Sequence, residues 1–523
     1  MTRSSIGMRV ALPVLAALMI GPVGSPLVAQ SGRNSEPTDY AVHVQNKEVV
    51  LFPFDDYAIP FRSGLELKLV EAQRYEGNPV LRRGEPGKPD STGVAFYGTI
   101  MPIGNELRMW YSCAGDREEG FGYTWLRGVR WKVCYATSTD GITWKKPDLG
   151  LMDYGGSRQN NLVYYRPPVG EIWACVVLHD PDDPNPARRF KMLTEAPRAR
   201  GIFAAYSPDG LTWTNFSDKP VITSPLEPSG LVKRNGLYYV VGHGSRYTKR
   251  VLVVHASPDF EHWTEASHMG FRRDNVGPLH APLSGGPTGE QVHLGASLWD
   301  RDNVLLGFYG QWHGPSPVSN DRRDLRIDIG LIVSHDVLHY EEPVPDFKIV
   351  PSGEEKFPAV GTGVCLAQGQ SPQNVGDKTL AWYSIWGPGG ADGVRVATWT
   401  RDRLGYYSVP AAPTEGQTPI QGVEPQFISC PIRLDNPETK VYINAAELGE
   451  HSHITVEILD DKFQEMPDYS GSDSIPITES GLRQQVKWRN RQTVGKSSHP
   501  VRLRVKFGGL QMEHAQVYAV YLE

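Results

Sequence analysis

The chain has 523 residues, with 53 Lys plus Arg against 59 Asp plus Glu and a formal net charge of −6. That balance offers no basic surface for nucleic acid and sets it aside as a partner. With 54 Gly, 42 Pro, 23 Tyr and 13 Trp, and with helical periodicity nearly absent, the sequence excludes a helical bundle and predicts an all-β chain long enough for two or more domains.

In chain order, Arg3 and Arg9 precede an apolar run over 10–20, and Leu27-Val28-Ala29 offers a small-residue cleavage site. This is the pattern of a signal peptide over 1–29, which predicts a secreted or periplasmic protein. The run is short for a bilayer span, so no stable membrane insertion is expected after cleavage; a retained anchor is the alternative. A polar linker follows over 30–48. Residues 49–54 form a strand-like run that either opens the first structural unit or closes a ring from the last. Asn78-Pro79-Val80-Leu81 then leads into a Gly- and Pro-rich loop ending at Asp90.

From there the chain repeats itself. Ser138-Thr139-Asp140-Gly141-Ile142-Thr143-Trp144 returns as Ser207-Pro208-Asp209-Gly210-Leu211-Thr212-Trp213. Weaker copies centre on Asp259 and Asp336, and a degenerate one on Asp402, with Asp-to-Asp spacings of 69, 50, 77 and 66 residues. Asp bonds its own backbone two residues on, and Gly takes positive φ, so each copy reads as a tight turn after a strand. Units of this size ending on strand, turn and aromatic predict the blades of a five-bladed β-propeller over 49–410. The bland alternative is a set of hairpin turns in some other all-β fold. On either reading the turn is structural, and no site is placed on Asp140 or Asp209.

Three strands per blade are assigned: 94–103, 107–113 and 131–137; 172–178, 189–193 and 202–206; 230–233, 237–242 and 251–256; 291–298, 304–309 and 329–333; 363–367, 379–385 and 394–399. The rhythm stops near Pro410. Residues 411–425 read as a linker, and six short strands over 426–523 predict a β-sandwich. Cys113 and Cys134 fall on strands expected to be adjacent, within reach of a disulfide. The five cysteines match no metal motif, and the odd number leaves at least one thiol outside internal pairs.

The layout sorts the loops. The repeated turns lie on one face, so a ligand should bind at the other, just before a first strand or just after a second. His179-Asp180-Pro181-Asp182-Asp183 falls on the wrong face and is read as a solvated turn. Before first strands stand Asp90, Glu171, Glu227 and the pair Glu354 and Glu355. After second strands stand Glu195, His243 with Arg246, Gln311 with His313, and Trp386. Carboxylates converging from successive blades suit glycosidic bond cleavage, one acid protonating the leaving oxygen while a second carboxylate attacks or activates water. Asp90, Glu171 and Glu227 are the catalytic candidates. Glu195, His243, Arg246, Gln311, His313 and Trp386 are the substrate-binding candidates. Each has a bland reading as an ordinary loop residue. No metal ligand set is seen and no cofactor is expected, with a calcium at the channel centre left open.

A signal peptide, five turn-closed blades and a C-terminal sandwich resemble secreted five-bladed-propeller glycoside hydrolases, the invertase/fructanase and arabinanase/xylosidase group. Asn-Pro-Val-Leu at 78–81 is also similar to the propeller mannoside phosphorylases. The resemblance implies hydrolysis of a polysaccharide or oligosaccharide, with an Asp beginning the first blade and a Glu beginning a middle one, positions matched by Asp90 and Glu227. Glu171 stands where arabinanase-like enzymes carry an Asp. The Trp-x-Asn-Asp-Pro-Asn and Arg-Asp-Pro segments of the invertase group are missing, which leaves two other readings of the fold open: a carbohydrate-binding propeller without catalysis, and a polysaccharide lyase using His243 or Tyr247 as base.

Overall fold

The computed structural model describes residues 42–44, 48–118, 128–196, 201–246, 249–273, 290–313, 326–354, 364–386, 390–410 and 424–523. The expected signal peptide, Tyr247, Glu355 and residues 411–423 of the expected 411–425 linker lie outside the described residues, as does the side chain of Arg246.

The described chain is all-β. Antiparallel sheets follow one another along it. The first joins Gly93–Ile103, Glu106–Ala114 and Lys132–Ser138. The second joins Cys175–His179, Phe190–Ala196, Gly201–Ser207 and Thr214–Asn215. The third joins Glu227–Arg234, Leu237–Arg246, Lys249–Ser257 and Thr264–Phe271. The fourth joins Gln291–Asp300, Leu305–His313 and Arg326–Ser334. The fifth joins Cys365–Gln368, Lys378–Trp386 and Gly393–Thr400. Their first strands touch in cyclic order, one to two, two to three, and so on, with five returning to one. This is the arrangement expected of a five-bladed propeller.

Polar side chains stitch the middle of the ring. Gln370 Nε2 donates to the Leu231 carbonyl at 2.8 Å, across the ring in the third unit. The Gln370 backbone meanwhile pairs with Gly98 and Ile100 of the first.

The ring closes through a different segment from the one expected. Gln73–Arg74 and Leu81–Arg82 form the outer edge of the fifth sheet, against Gly393–Thr400. The run at 49–54 belongs elsewhere: Val49–Leu51 pairs with Gln516–Leu522 near the far end of the chain. Val42–Val44, Phe61–Ser63, Glu66–Leu69 and Gly405–Ser408 likewise join strands of the C-terminal region, completing two six-stranded sheets around one apolar core. Strands from both ends of the chain thus build the sandwich-like part, and its boundaries differ from an expected 426–523.

The repeated turns form as their residues dictate. Ser138 Oγ accepts from Gly141 N at 2.8 Å, and Asp140 Oδ1 accepts from Ile142 N and Thr143 N at 2.8 and 2.7 Å. The turn at Asp209 repeats these bonds. The two glycines have positive φ, and their carbonyls accept from the tryptophan of their own turn and from one in the neighbouring unit: Trp382 Nε1 donates to Gly141 O at 2.9 Å and Trp110 Nε1 to Gly210 O at 2.6 Å. In the weaker copies Phe260 and Val337 hold φ 69 at the glycine position and are themselves buried in the apolar space between units. Positive φ alone is therefore tolerated. What Gly141 cannot tolerate is a side chain, because a Cβ would sit 2.7 Å from Leu380 Cδ1 and Trp382 Cζ2. Gly141→Ala is expected to cost about 1–3 kcal/mol, read as a lowered melting temperature. A melting point at or above wild type would mean that the tryptophan moves aside freely.

The fifth copy departs. Here positive φ falls on Asp402 itself, and its carboxylate is buried against Arg301, with Tyr521 Oη donating at 2.9 Å and Asn374 Nδ2 at 2.9 Å. Asp180, expected in a solvated turn, is also buried: it pairs with Lys233 at 2.8 Å and accepts from Tyr238 Oη at 2.7 Å. The expected disulfide joins Cys113 to Cys134, while Cys175, Cys365 and Cys430 are buried outside it.

Candidate active site

Three units meet at one carboxylate. Glu227 opens the third sheet and lies in register with His243 on the neighbouring strand. Its Oε1 accepts from Trp173 Nε1 at 3.1 Å, and its Oε2 lies 3.2 Å from His243 Nε2. The other imidazole nitrogen, Nδ1, accepts from the backbone N of Leu294 at 3.0 Å, which leaves the proton on Nε2, facing Glu227. Burial, then the charge of Arg250 and the ring of His293, hold the His243 pKa well below the usual imidazole value, so His243 is a neutral donor.

Leu294 can reach His243 because the first strand of the fourth unit bulges between His293 and Ala296, with φ 57 at Leu294 and φ 61 at Gly295. Gly295 is required there: a Cβ would stand 2.6 Å from the Gly242 Cα.

A second carboxylate shares this mouth. Glu195 stands near the end of the second strand of unit two, where its backbone bonds Trp173 and Ala174 at 2.9 and 3.0 Å. Its Oε2 is buried and has no hydrogen-bond partner among the described residues. Burial, then the charge of Glu227, pushes the Glu195 carboxyl well above the ordinary range, with Arg250 opposing. Glu227 is also raised by burial, but Arg250 and the Trp173 indole pull it back. Two neighbouring carboxyls thus have unlike surroundings: one with a buried oxygen that has no partner among the described residues, one held by two donors.

Around them lie rings. Tyr97 meets Trp173 at 5.4 Å, and burial followed by the charge of Glu227 raises its phenol well above the usual value. Arg250 lies over Trp312 at 4.5 Å, and His293 packs against Trp312 at 5.6 Å and Trp386 at 6.2 Å.

The rule that sorted the loops brings Glu195, Glu227, His243 and Trp386 to one mouth. Glu171 is buried just ahead of Trp173. Asp90 goes elsewhere: it is buried, accepts from Tyr111 Oη at 2.9 Å and pairs with Lys146, so its negative charge is already answered within the first unit. Gln311 also turns away, donating to Glu342 Oε1 at 3.1 Å and the Phe347 carbonyl at 3.0 Å. Its neighbour Trp312 takes the mouth instead, as strand alternation requires. Arg250, Tyr97, Trp173 and Trp312 were not singled out from sequence; Arg250 begins a third strand, where the rule did not look.

His313 lies one layer back. It stands 2.6 Å from Glu290 and 3.1 Å from Asp328. Burial pushes its pKa down, but the two carboxylates outweigh burial and leave it raised. Glu290, His313 and Asp346 together could hold a metal ion. The buried Arg273 guanidinium, however, already pairs with both carboxylates, at 2.8 Å to Glu290 and 2.5 Å to Asp346. A cation there would meet that fixed positive charge, so these residues do not fit a metal.

No protein-family model and no curated protein matches the chain. Several solved structures are similar to it. A glycosyl hydrolase from Bacteroides ovatus shares 16% identity over 64% of this chain and 95% of that chain, with a TM-score of 0.44. A β-1,2-mannobiose phosphorylase from Listeria innocua shares 14% over 63% and 97%, with a TM-score of 0.42. An exo-β-1,3-galactanase from Phanerochaete chrysosporium shares 11% over 85% and 100%, with a TM-score of 0.34. None of these similarities transfers a residue role to this chain.

Proposed function

We propose that the protein is an exported glycoside hydrolase that cleaves a polysaccharide or oligosaccharide at the mouth of its ring. The observation that carries this reading is the Glu195–Glu227 pair, two neighbouring carboxyls in unlike environments. Such a pair divides acid from base at one pH. Glu195, its pKa raised by burial and by Glu227, is the general acid that gives its proton to the leaving oxygen. Glu227, held by Trp173 and neutral His243, is the carboxylate that attacks the sugar or activates water. Trp386, partly exposed, offers an apolar face for a sugar ring, and Arg250, lying over the buried Trp312, offers a charge that tempers both acids. Asp90 has no part in this assignment, and Glu195 takes the place first given to it. Export rests on the pattern at 1–29.

The acid must be protonated to act, so activity should fall as pH rises through the raised Glu195 pKa. Glu195→Gln should remove that alkaline limb. It should also slow glycosides with poor leaving groups by about 100-fold or more while sparing activated aryl glycosides. Equal losses on both classes of substrate would sink the assignment of Glu195.

A further inference from the structure

Unit four grips the arginine whose charge acts on both carboxyls. Arg250 stands two residues from Leu252 on the third strand of unit three. Leu252 is in register with His243, and His243 with Glu227. Residues opposed across an antiparallel pair share a face, as do residues two apart on a strand. Arg250, His243 and Glu227 therefore project from one face of unit three, and that face meets unit four. There Gln291 and Trp312 are themselves opposed, on the first and second strands. The Gln291 side chain accepts from Arg250 N at 2.9 Å, and the Arg250 guanidinium lies 4.5 Å from the centre of the Trp312 ring. One unit thus holds both ends of a residue from the next: Gln291 its backbone, Trp312 its charge. The ring is in turn fixed by Ile327 and Cys365 and packs against His293. Trp312 is only 5 % exposed, too little surface for a sugar to stack on; what lies on its face is Arg250.

The charge held there reaches across the mouth. Burial raises both Glu195 and Glu227, and Arg250 opposes it on each. Arg250 also acts on Tyr97 and His243, where burial is again the larger cause. The other titratable groups that bear on these residues are His293 and Cys365. We propose that Gln291 and Trp312 are positioning residues: they hold the Arg250 guanidinium at the mouth and through it act on the Glu195–Glu227 pair. An aromatic face attracts a cation most where water is scarce, and an aliphatic side chain in its place lets the guanidinium turn away. That the pair is catalytic rests on the proposed function; the hold on Arg250 does not.

Carbon-13 NMR of the full chain, labelled at the glutamate carboxyls, tests this without a substrate. The Glu195 and Glu227 signals are assigned by their loss in the Glu195→Gln and Glu227→Gln variants. Arg250→Met should move both titration midpoints up by about one pH unit. Trp312→Leu should move both in the same direction, Trp312→Phe should stay near wild type, and Trp312→Leu should add nothing in the Arg250→Met background. Gln291→Leu removes the acceptor and should also raise both midpoints; it keeps the test valid if Trp312→Leu does not fold. On a cleaved substrate both limbs of the kcat/KM profile should move to higher pH together, because Glu227 must lose a proton and Glu195 must keep one. Midpoints unmoved by Arg250→Met, unmoved by both Trp312→Leu and Gln291→Leu, or moved by Trp312→Leu equally with and without Arg250 would overturn the assignment. Midpoints that follow Arg250 in a protein that cleaves no glycan would sink the hydrolase reading and leave the positioning assignment standing.

Discussion

Glu227→Gln should fold, bind glycan and lose about three orders of magnitude in kcat. The amide keeps the shape of the side chain and removes the charge that develops bonding to the sugar or to water, an effect of about 10²–10⁴-fold for one acid–base group. Trp173 and His243 both donate to this carboxylate, so the amide leaves one donor facing an NH₂ group and is not expected to stabilise the fold. Glu195→Gln behaves differently. A carboxyl whose folded pKa is raised binds its proton more tightly in the folded chain than in the unfolded one. Stability therefore falls as pH rises from the ordinary carboxylate range through the raised value. Glu195→Gln lacks that slope and should melt higher than wild type at pH 8 and about equally at pH 4. A Glu227→Gln protein that keeps wild-type kcat, or a Glu195→Gln protein that melts lower at pH 8, would place these residues among structural groups.

Asp402→Ala should cost about 3–5 kcal/mol, the largest loss expected of any single change outside the core. Its carboxylate is fully buried and ion-paired to Arg301, a mostly covered side chain stacked over Trp299 at 4.7 Å. Tyr521 and Asn374 satisfy the remaining lone pairs, and Tyr521 belongs to a strand of the sandwich-like part. Truncation leaves the Arg301 guanidinium with only its longer pair to Glu48, at 3.4 Å. The same pair sets a pH dependence. Burial raises the Asp402 pKa, but Arg301 outweighs it and the net shift is downward. Its contribution is complete above the unfolded carboxyl value and is lost as pH falls through the depressed one. Urea unfolding at pH 7 measures the cost. A loss below about 1 kcal/mol would show that water reaches Arg301.

How much of this was readable follows from the range of each interaction. The turns at Asp140 and Asp209 are written in seven residues, because Ser, Asp and Gly bond within the turn itself. Asp402 sits in the same motif but has Arg301 as partner, a hundred residues earlier in the chain, and long-range pairing overrode the local signal. The ring-closing strands are two residues each and carry no periodicity to detect. Val49–Leu51 reads as a strand, yet nothing local shows that its partner lies at the C-terminus. Glu195, Glu227 and His243 come together because their strand ends lie at one mouth. Asp90 was misread because its loop turns the carboxylate back to Lys146. Gln311 was misread by one residue of strand alternation, which was visible beside it in Trp312.

The most direct measurement is release of sugar from a panel of polysaccharides, oligosaccharides and aryl glycosides by purified wild-type protein beside the Glu195→Gln, Glu227→Gln double variant. The wild type should release sugar from at least one substrate, and the double variant should release none while still binding it. Release by both proteins would contradict the assignment of the pair. Binding by both without release by either would contradict hydrolysis itself and leave a carbohydrate-binding propeller.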